Sequence, residues 1–156
     1  MTDYVTINKM ADSLLEGIQF NITLLSNASA LLWQEMGEIN WAGFYLAKDE
    51  KLILGPFQGK PACTVIEKGK GVCGTAFLED KTQLVENVHE FPGHIACDSA
   101  SNSEIVIPIH RDNLFYGVLD IDSPYFSRFL EEDQKGLEKF VEILEKHITN
   151  DRIEGI

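Results

Sequence analysis

Two strands and a tight turn can be read from EIVIPIHRDNLFYGVLDID, residues 104–122. The strands are predicted to run from Glu104 to His110 and from Leu114 to Ile121. The connection Arg111-Asp-Asn contains residues that tolerate the backbone angles of a tight turn, so the two strands should be antiparallel neighbours.

Further elements are predicted on both sides of this hairpin. Apolar residues recur every three or four positions over residues 8–37, which predicts an amphipathic helix with a break near Asn27. The same spacing predicts a helix over residues 130–147. Between them we expect, in order, a hairpin with strands at 39–46 and 52–57, a strand at 62–66, a glycine-rich turn and brief helix at 68–80, a strand at 83–85 and a loop at 86–102.

Strands that follow strands, with helices mainly at the two ends of the chain, are typical of the α+β class. We therefore predict one domain over residues 1–156, built on an antiparallel sheet with the helices from the two termini packed on one face. No internal repeat or interdomain linker interrupts the sequence.

Composition argues against several classes of partner. The formal net charge is −12 and the pI is about 4.6, with no cluster of basic residues. Such a surface repels nucleic acid and anionic lipid, so neither a nucleic-acid partner nor a membrane is expected. The first residues lack the basic start and apolar run of a secretory signal, which favours a cytoplasmic location.

The three cysteines suggest thiol chemistry, since in a reducing compartment cysteines outside the core are more often reactive than permanently bridged. Cys97 lies in the polar, small-residue stretch HIACDSAS, residues 94–101, where no apolar periodicity would bury it. We therefore expect Cys97 to face a solvent-filled cleft in which a thiolate can form.

Local sequence does not choose between the possible nucleophiles. Cys73 begins a predicted helix, where the helix dipole would lower its pKa. Asp98 opposes ionisation of Cys97, whereas a charged His94 close to it would favour ionisation. Cys63 can equally be read as a small apolar filler in a strand.

Acidic residues form a second candidate cluster. Asp120 and Asp122 are two positions apart on a strand and so share a face, and the antiparallel neighbour brings Glu104 close to them. Crowded carboxylates raise the pKa of at least one member, which leaves a proton for donation, while the remaining charge attracts an ammonium group. Alternatively, Asp122 merely ends a strand and Glu104 is a solvated edge residue. Trp41 is either an apolar wall of the same pocket or a core residue.

Zinc binding is a weaker alternative for the same residue types. A four-ligand set would consist of Cys63, Cys73, Cys97 and His94. Structural zinc sites usually use pairs two to four residues apart, and here only His94 and Cys97 approach that spacing. We therefore predict no metal site.

The motifs together resemble the free methionine-(R)-sulfoxide reductases, which are single GAF-domain enzymes. The resemblance covers about residues 41–140. It rests on NWAGFY (40–45), GPFQGKPAC (55–63), GKGVCGTA (69–76), VHEFPGHIACD (88–98), SNSEIVIP (101–108) and GVLDIDSP (117–124). The last of these occurs in other GAF domains, but three cysteines in these contexts are specific to the reductases.

The resemblance implies a role for each candidate residue. Cys97 corresponds to the attacking thiol, Cys63 to the resolving thiol and Cys73 to an auxiliary thiol that can also form a disulfide. The other matches are to substrate-binding residues: three acids that engage the polar groups of free methionine sulfoxide, and an aromatic residue beside its methyl end. They are Glu104, Asp120, Asp122 and Trp41.

The implied reaction converts free L-methionine-(R)-sulfoxide to methionine through a cysteine sulfenic acid and an intramolecular disulfide. A thioredoxin-like dithiol would then reduce the disulfide, and no metal or organic cofactor is required. GAF domains often associate through terminal helices, so a homodimer is a further expectation. The alternatives are a GAF-type sensor that binds a small ligand without turnover, and a redox switch whose disulfide alters a partner contact.

Overall fold

The computed structural model describes residues 1–94, 97 and 100–150. Its elements are α1 (Tyr4–Leu15), α2 (Asn21–Glu35), β1 (Trp41–Lys48), β2 (Lys51–Gly59), β3 (Val65–Glu67), α3 (Gly71–Glu79), β4 (Gln83–Val85), β5 (Ser103–Arg111), β6 (Leu114–Ser123) and α4 (Glu131–His147). A short 3-10 turn lies at Val88–Glu90. None of the helices in these residues is long and apolar enough to cross a membrane.

Within the described residues the strands form one six-stranded sheet in the order β3-β2-β1-β6-β5-β4. Every neighbouring pair is antiparallel. The predicted hairpin of residues 104–122 is the β5–β6 pair. It is joined edge to edge to the β1–β2 hairpin through β1 and β6.

Both hairpins turn through two successive residues with left-handed backbone angles. These are Asp49 and Glu50, with φ of 52° and 63°, and Asp112 and Asn113, with φ of 53° and 64°. Two such residues match the twist of the flanking strands, which is why short hairpin turns favour Asp and Asn. The two turns predicted from the sequence are therefore confirmed.

The helices from the two termini cover one face of the sheet, as predicted. Their apolar residues meet those of the three middle strands in one buried cluster, whose fully buried members include Leu24, Leu25, Leu32, Phe44, Ile105, Leu119, Ile121, Leu137, Phe140 and Leu144. This arrangement confirms the α+β class.

Helix α3 lies on the opposite face. Its residues Val72, Ala76 and Phe77 belong to a second buried cluster that includes Tyr45, Val106 and Val118 from the sheet. The sheet is therefore apolar on both faces, and the second face also carries the candidate site residues.

Two predictions about the elements were wrong. The N-terminal helix does not break near Asn27, which lies inside α2; the break follows Leu15, where Gly17 takes a φ of 77°. A left-handed glycine ends a helix at little cost, so Gly17 separates α1 from α2. The third strand was predicted at residues 62–66 but begins at Val65, and Cys63 therefore precedes the strand rather than filling it.

Gly43 offers a test of how closely β1 and β2 pack. A Cβ atom there would overlap the Cβ of Phe57 and lie 2.7 Å from its Cα. We expect Gly43→Ala to lower the free energy of unfolding by about 1–3 kcal/mol, the usual range for overpacking. Gly37→Ala is the control, since a Cβ at Gly37 meets nothing within 4 Å. Urea denaturation of both variants measures the difference; equal stabilities would contradict this packing.

Candidate active site

The three acids predicted to cluster lie next to one another on the α3 face of the sheet. Glu104 on β5 is paired directly with Asp122 on β6, and Val106 is paired with Asp120. Trp41 on β1 flanks Asp122 on its other side. Directly paired residues share a face in an antiparallel sheet, so the register alone places Trp41, Asp122 and Glu104 in one row.

Burial controls the protonation of these acids. Glu104 is 8% exposed and Asp120 is 5% exposed. Burial raises the pKa of Glu104 well above its usual range, and the charges of Asp120 and Asp122 raise it further. Burial also raises the pKa of Asp120, while hydrogen bonds from Glu104, Cys73 and Asp122 act in the opposite direction. Burial therefore favours the protonated form of both carboxyls, and the hydrogen bonds strengthen this preference in Glu104 while they weaken it in Asp120.

Asp120 also offers an acceptor to a ligand. Its Oδ1 atom is buried and has no hydrogen-bond partner among the described residues. A buried acceptor without a donor is costly, so a ligand with an ammonium or hydroxyl group would stabilise the site.

Cys73 lies in the first turn of α3 and faces these acids. Its side chain is buried, and Sγ donates a long hydrogen bond of 3.9 Å to Glu104 Oε2. Burial raises the pKa of the Cys73 thiol well above its usual value, and the charges of Asp120, Glu104 and Asp122 add to the effect. The expectation that the helix dipole would lower this pKa was therefore wrong, because burial and three nearby acids outweigh one helix end.

Cys63 and Cys97 are joined by a disulfide with a Cα–Cα distance of 5.5 Å. This is the pairing that the family resemblance implied. Both residues are half-buried rather than enclosed in the core, as expected for Cys97. Burial and then the charge of His89 lower the pKa of His94, which weakens the idea that a charged His94 favours a thiolate at Cys97. Asp98, which was expected to oppose ionisation of Cys97, lies outside the described residues.

A pocket of about 50 Å³ unites most of the candidate residues. Cys97 and Cys73 line it together with Glu104, Asp120, Asp122 and Trp41. Other lining residues are Tyr45, Pro61, Ala62, Ile66, Lys70, Gly71, Val72, His94 and Ser101. Cys63 does not line the pocket but is bonded to Cys97 at its wall.

The zinc set considered from the sequence is not assembled. The sulfur atoms of Cys63 and Cys97 are bonded to each other, while Cys73 lies among the acids. Among the described residues, ligand atoms of Cys73, Glu104 and Asp120 lie within 4.8 Å of one another. These three belong to the pocket already described.

Tyr45 is a pocket residue that sequence reasoning missed. Its ring stacks on that of Trp41, with centroids 5.8 Å apart, and Trp41 stacks in turn on Phe57. The two-residue period of β1 was sufficient to place Tyr45 on the same face as Trp41, because the residues are four positions apart. The aromatic pair forms an apolar part of the pocket lining next to the acids.

The GAF domain family model matches residues 10–148. The chain is 52% identical over 143 residues to the free methionine-R-sulfoxide reductase of Escherichia coli (strain K12), covering 92% of this chain and 87% of that protein. Its fold matches the reduced form of fRMsr of Staphylococcus aureus with a TM-score of 0.93 and 53% identity, covering 96% of this chain and 97% of that chain.

A further solved structure was obtained with its substrate. It is free methionine-R-sulfoxide reductase from Neisseria meningitidis, which is 40% identical to this chain with a TM-score of 0.89, covering 92% of this chain and 87% of that one. The fold and the matched family model define a GAF-domain protein. Within that class, the chain belongs to the family of the free methionine-R-sulfoxide reductases.

The raised pKa of Glu104 makes a prediction about stability. Protonation of Glu104 favours the folded state below the ordinary carboxyl pKa of 4.5, and this contribution is lost as the pH rises through the raised folded pKa. We therefore expect Glu104→Gln, which cannot ionise, to gain stability relative to wild type as the pH rises above about 4.5. Urea unfolding across this range measures the effect.

The exposed residue Glu90 supplies the matched control, Glu90→Gln. This variant should follow wild type at every pH. A constant difference between Glu104→Gln and wild type over the whole range would show that Glu104 is ionised like a surface carboxyl.

Proposed function

We propose that this protein reduces free L-methionine-(R)-sulfoxide to methionine with its own thiols. The observation that carries the proposal is the Cys63–Cys97 disulfide at the wall of a pocket whose floor is lined by buried acids. The E. coli and N. meningitidis relatives, at 52% and 40% identity, bear the name of this activity. Sulfur that cycles between thiol and disulfide beside a proton donor suits the reduction of a sulfoxide.

In the first step, the thiolate of Cys97 attacks the sulfoxide sulfur. A proton passes to the sulfoxide oxygen, methionine leaves, and the oxygen remains on Cys97 as a sulfenic acid. We assign the proton to Glu104, since burial and two acidic neighbours keep this carboxyl protonated. The sulfoxide sulfur is reduced by two electrons and Cys97 is oxidised by two.

In the second step, Cys63 condenses with the sulfenic acid, forming the disulfide and releasing water. An external dithiol of the thioredoxin type then reduces the disulfide by exchange, which returns both thiols. A cycle of this kind requires a reducing compartment, and we accordingly assign the protein to the cytoplasm. Cys73 is the weaker choice for the resolving role, because its raised pKa leaves little thiolate.

Selectivity for the free amino acid follows from the acids. We propose that Asp120 and Asp122 bind the substrate ammonium, with Asp120 Oδ1 as one acceptor, while Trp41 packs beside the methyl end. A methionine sulfoxide within a polypeptide offers an uncharged amide instead, which does not balance the carboxylate charge.

The rival function is a GAF-type sensor, which would bind the sulfoxide or another small ligand in the same pocket without converting it. The disulfide favours the reductase over a sensor that only binds a ligand, because such a binding site needs no thiol pair at its wall. A redox sensor would also contain a thiol pair, but it would produce no methionine.

We also propose that the protein forms a homodimer through its terminal helices. Sedimentation velocity would detect the dimer.

The decisive experiment incubates the purified protein with racemic free methionine sulfoxide and dithiothreitol, and follows methionine by chromatography. We expect only the (R) epimer to be consumed, with Cys97→Ser losing at least about a thousandfold of the rate, as is usual when a nucleophile is removed. A peptide containing methionine sulfoxide is the substrate control and should react far more slowly. Binding of the sulfoxide without any methionine would support the sensor, and equal rates on the peptide would contradict the proposed selectivity.

A further inference from the structure

The segment that carries Cys63 is bound to β1 by two side chains. Trp41 Nε1 donates to the carbonyl of Lys60 at 3.1 Å, and the Tyr45 hydroxyl donates to the carbonyl of Cys63 itself at 2.8 Å. Residues 60–63 connect β2 to β3 and lie outside both strands. Their carbonyls are therefore free of the sheet ladder and available to these donors.

The geometry of β1 matches the length of this segment. Trp41 and Tyr45 point to the same face and are separated by roughly 13 Å of extended strand. Three residues of extended chain, from Lys60 to Cys63, span about 10 Å. The segment can thus run along the stacked rings and meet a donor near each end.

The chain reaches this position through Gly59. A Cβ at Gly59 would lie 2.7 Å from Trp41 Cδ1 and 2.8 Å from the carbonyl oxygen of Asn40, and its φ is 128°. Such a close approach at such an angle is accessible to glycine alone. At the other end, Leu54 N donates to the carbonyl of Thr64 at 3.0 Å and returns the chain to the sheet.

We propose that Tyr45, assisted by Trp41, is a positioning residue for the resolving thiol: its hydroxyl holds the Cys63 segment so that Cys63 Sγ reaches Cys97. This inference rests on the proposed function and concerns the step after methionine has left. In that step the Cys63 thiol attacks the sulfenic sulfur of Cys97, an S–S bond forms, the S–O bond breaks, and the oxygen leaves as water with the thiol proton.

Positioning matters for this step because a disulfide tolerates a narrow range of backbone separations. The Cα atoms of Cys63 and Cys97 are 5.5 Å apart, within the usual disulfide range. A segment released from one anchor samples more positions, and fewer of them allow the two sulfurs to meet.

Tyr45 is suited to remain a donor under the conditions of thiol chemistry. Burial raises the pKa of its hydroxyl, and the charges of Asp120, Cys73, Asp122 and Glu104 raise it further. The hydroxyl therefore keeps its proton in the mildly alkaline range where thiols ionise, and the hydrogen bond to the Cys63 carbonyl persists there.

The test measures two steps separately in Tyr45→Phe, a variant that lacks only the tyrosine hydroxyl. The steps are methionine release and disulfide closure. Reduced protein is mixed with methionine sulfoxide in the absence of a reductant, and methionine release and sulfenic acid are followed in time, the latter by trapping with dimedone and mass spectrometry. We expect disulfide closure to slow roughly fivefold relative to methionine release, the factor that one hydrogen bond is worth. Cys63→Ser defines the limit of an unresolved sulfenic acid.

Tyr4→Phe is the matched control. The Tyr4 hydroxyl donates to Asp133 Oδ1 at 2.6 Å and joins α1 to α4, away from the pocket. Its loss removes one part-buried hydrogen bond of the same kind but should leave both half-reactions unchanged. Trp41→Phe, which removes the donor to Lys60, provides a second variant, and it should slow disulfide closure from the sulfenic acid as Tyr45→Phe does.

The outcomes distinguish this inference from the proposed function. If wild type forms neither methionine nor a sulfenic acid, the proposed function fails. If wild type forms both, and Tyr45→Phe closes its disulfide at the wild-type rate or behaves like Tyr4→Phe, the positioning role is overturned. Equilibration of each reduced variant with a glutathione redox buffer gives an independent readout: Tyr45→Phe should form the Cys63–Cys97 disulfide severalfold less readily.

Discussion

Burial of acidic side chains against the sheet is the constraint on which the site depends. Glu104 and Asp120 sit on the middle strands, where α3 on one side and the sheet itself on the other exclude water. A carboxylate in such a place is poorly solvated, so one member of the group keeps its proton and the others compete for donors. The same burial favours a protonated carboxyl and leaves Asp120 Oδ1 without a donor, which are the two properties that the proposed reaction needs.

The two faces of the sheet have different roles: one carries the larger core and the other carries the pocket. The terminal helices and the residues Phe44, Ile105, Leu119 and Ile121 form the larger core and stabilise the sheet without contributing to the pocket. The opposite face then needs only one helix, α3, to enclose its apolar residues. The remaining surface of that face is bounded by Trp41, Tyr45 and the segments that carry Cys63 and Cys97, so Cys97 and the acids line one pocket.

Much of this arrangement could be predicted from local sequence. The turn at Asp112 and Asn113 made β5 and β6 antiparallel neighbours, as predicted. A register shift between Ile109 and His110, which the sequence did not indicate, is what places Glu104 opposite Asp122 rather than Ile121. The shared face of Asp120 and Asp122 follows from the two-residue period of a single strand. The break between α1 and α2 was misplaced because the apolar spacing continues across Gly17, and only its backbone angle reveals the end of the helix.

Other features depend on contacts between distant segments and could not be read locally. The pKa of Cys73 depends on α3 packing against β5 and β6, which no residue near Cys73 indicates. The pairing of Cys63 with Cys97 spans 34 residues and was available only through the family resemblance. The hydrogen bond from Tyr45 to the Cys63 carbonyl likewise joins a strand to a loop 18 residues away.

The central claim is that buried Glu104 keeps its proton at a pH where an ordinary carboxyl is ionised. Infrared difference spectroscopy between wild type and Glu104→Gln tests it most directly, because a protonated carboxyl has a carbonyl stretch distinct from that of a carboxylate. The account predicts a protonated-acid band in wild type at about pH 7 that is missing from the variant. A wild-type spectrum in which Glu104 contributes only a carboxylate band would contradict it.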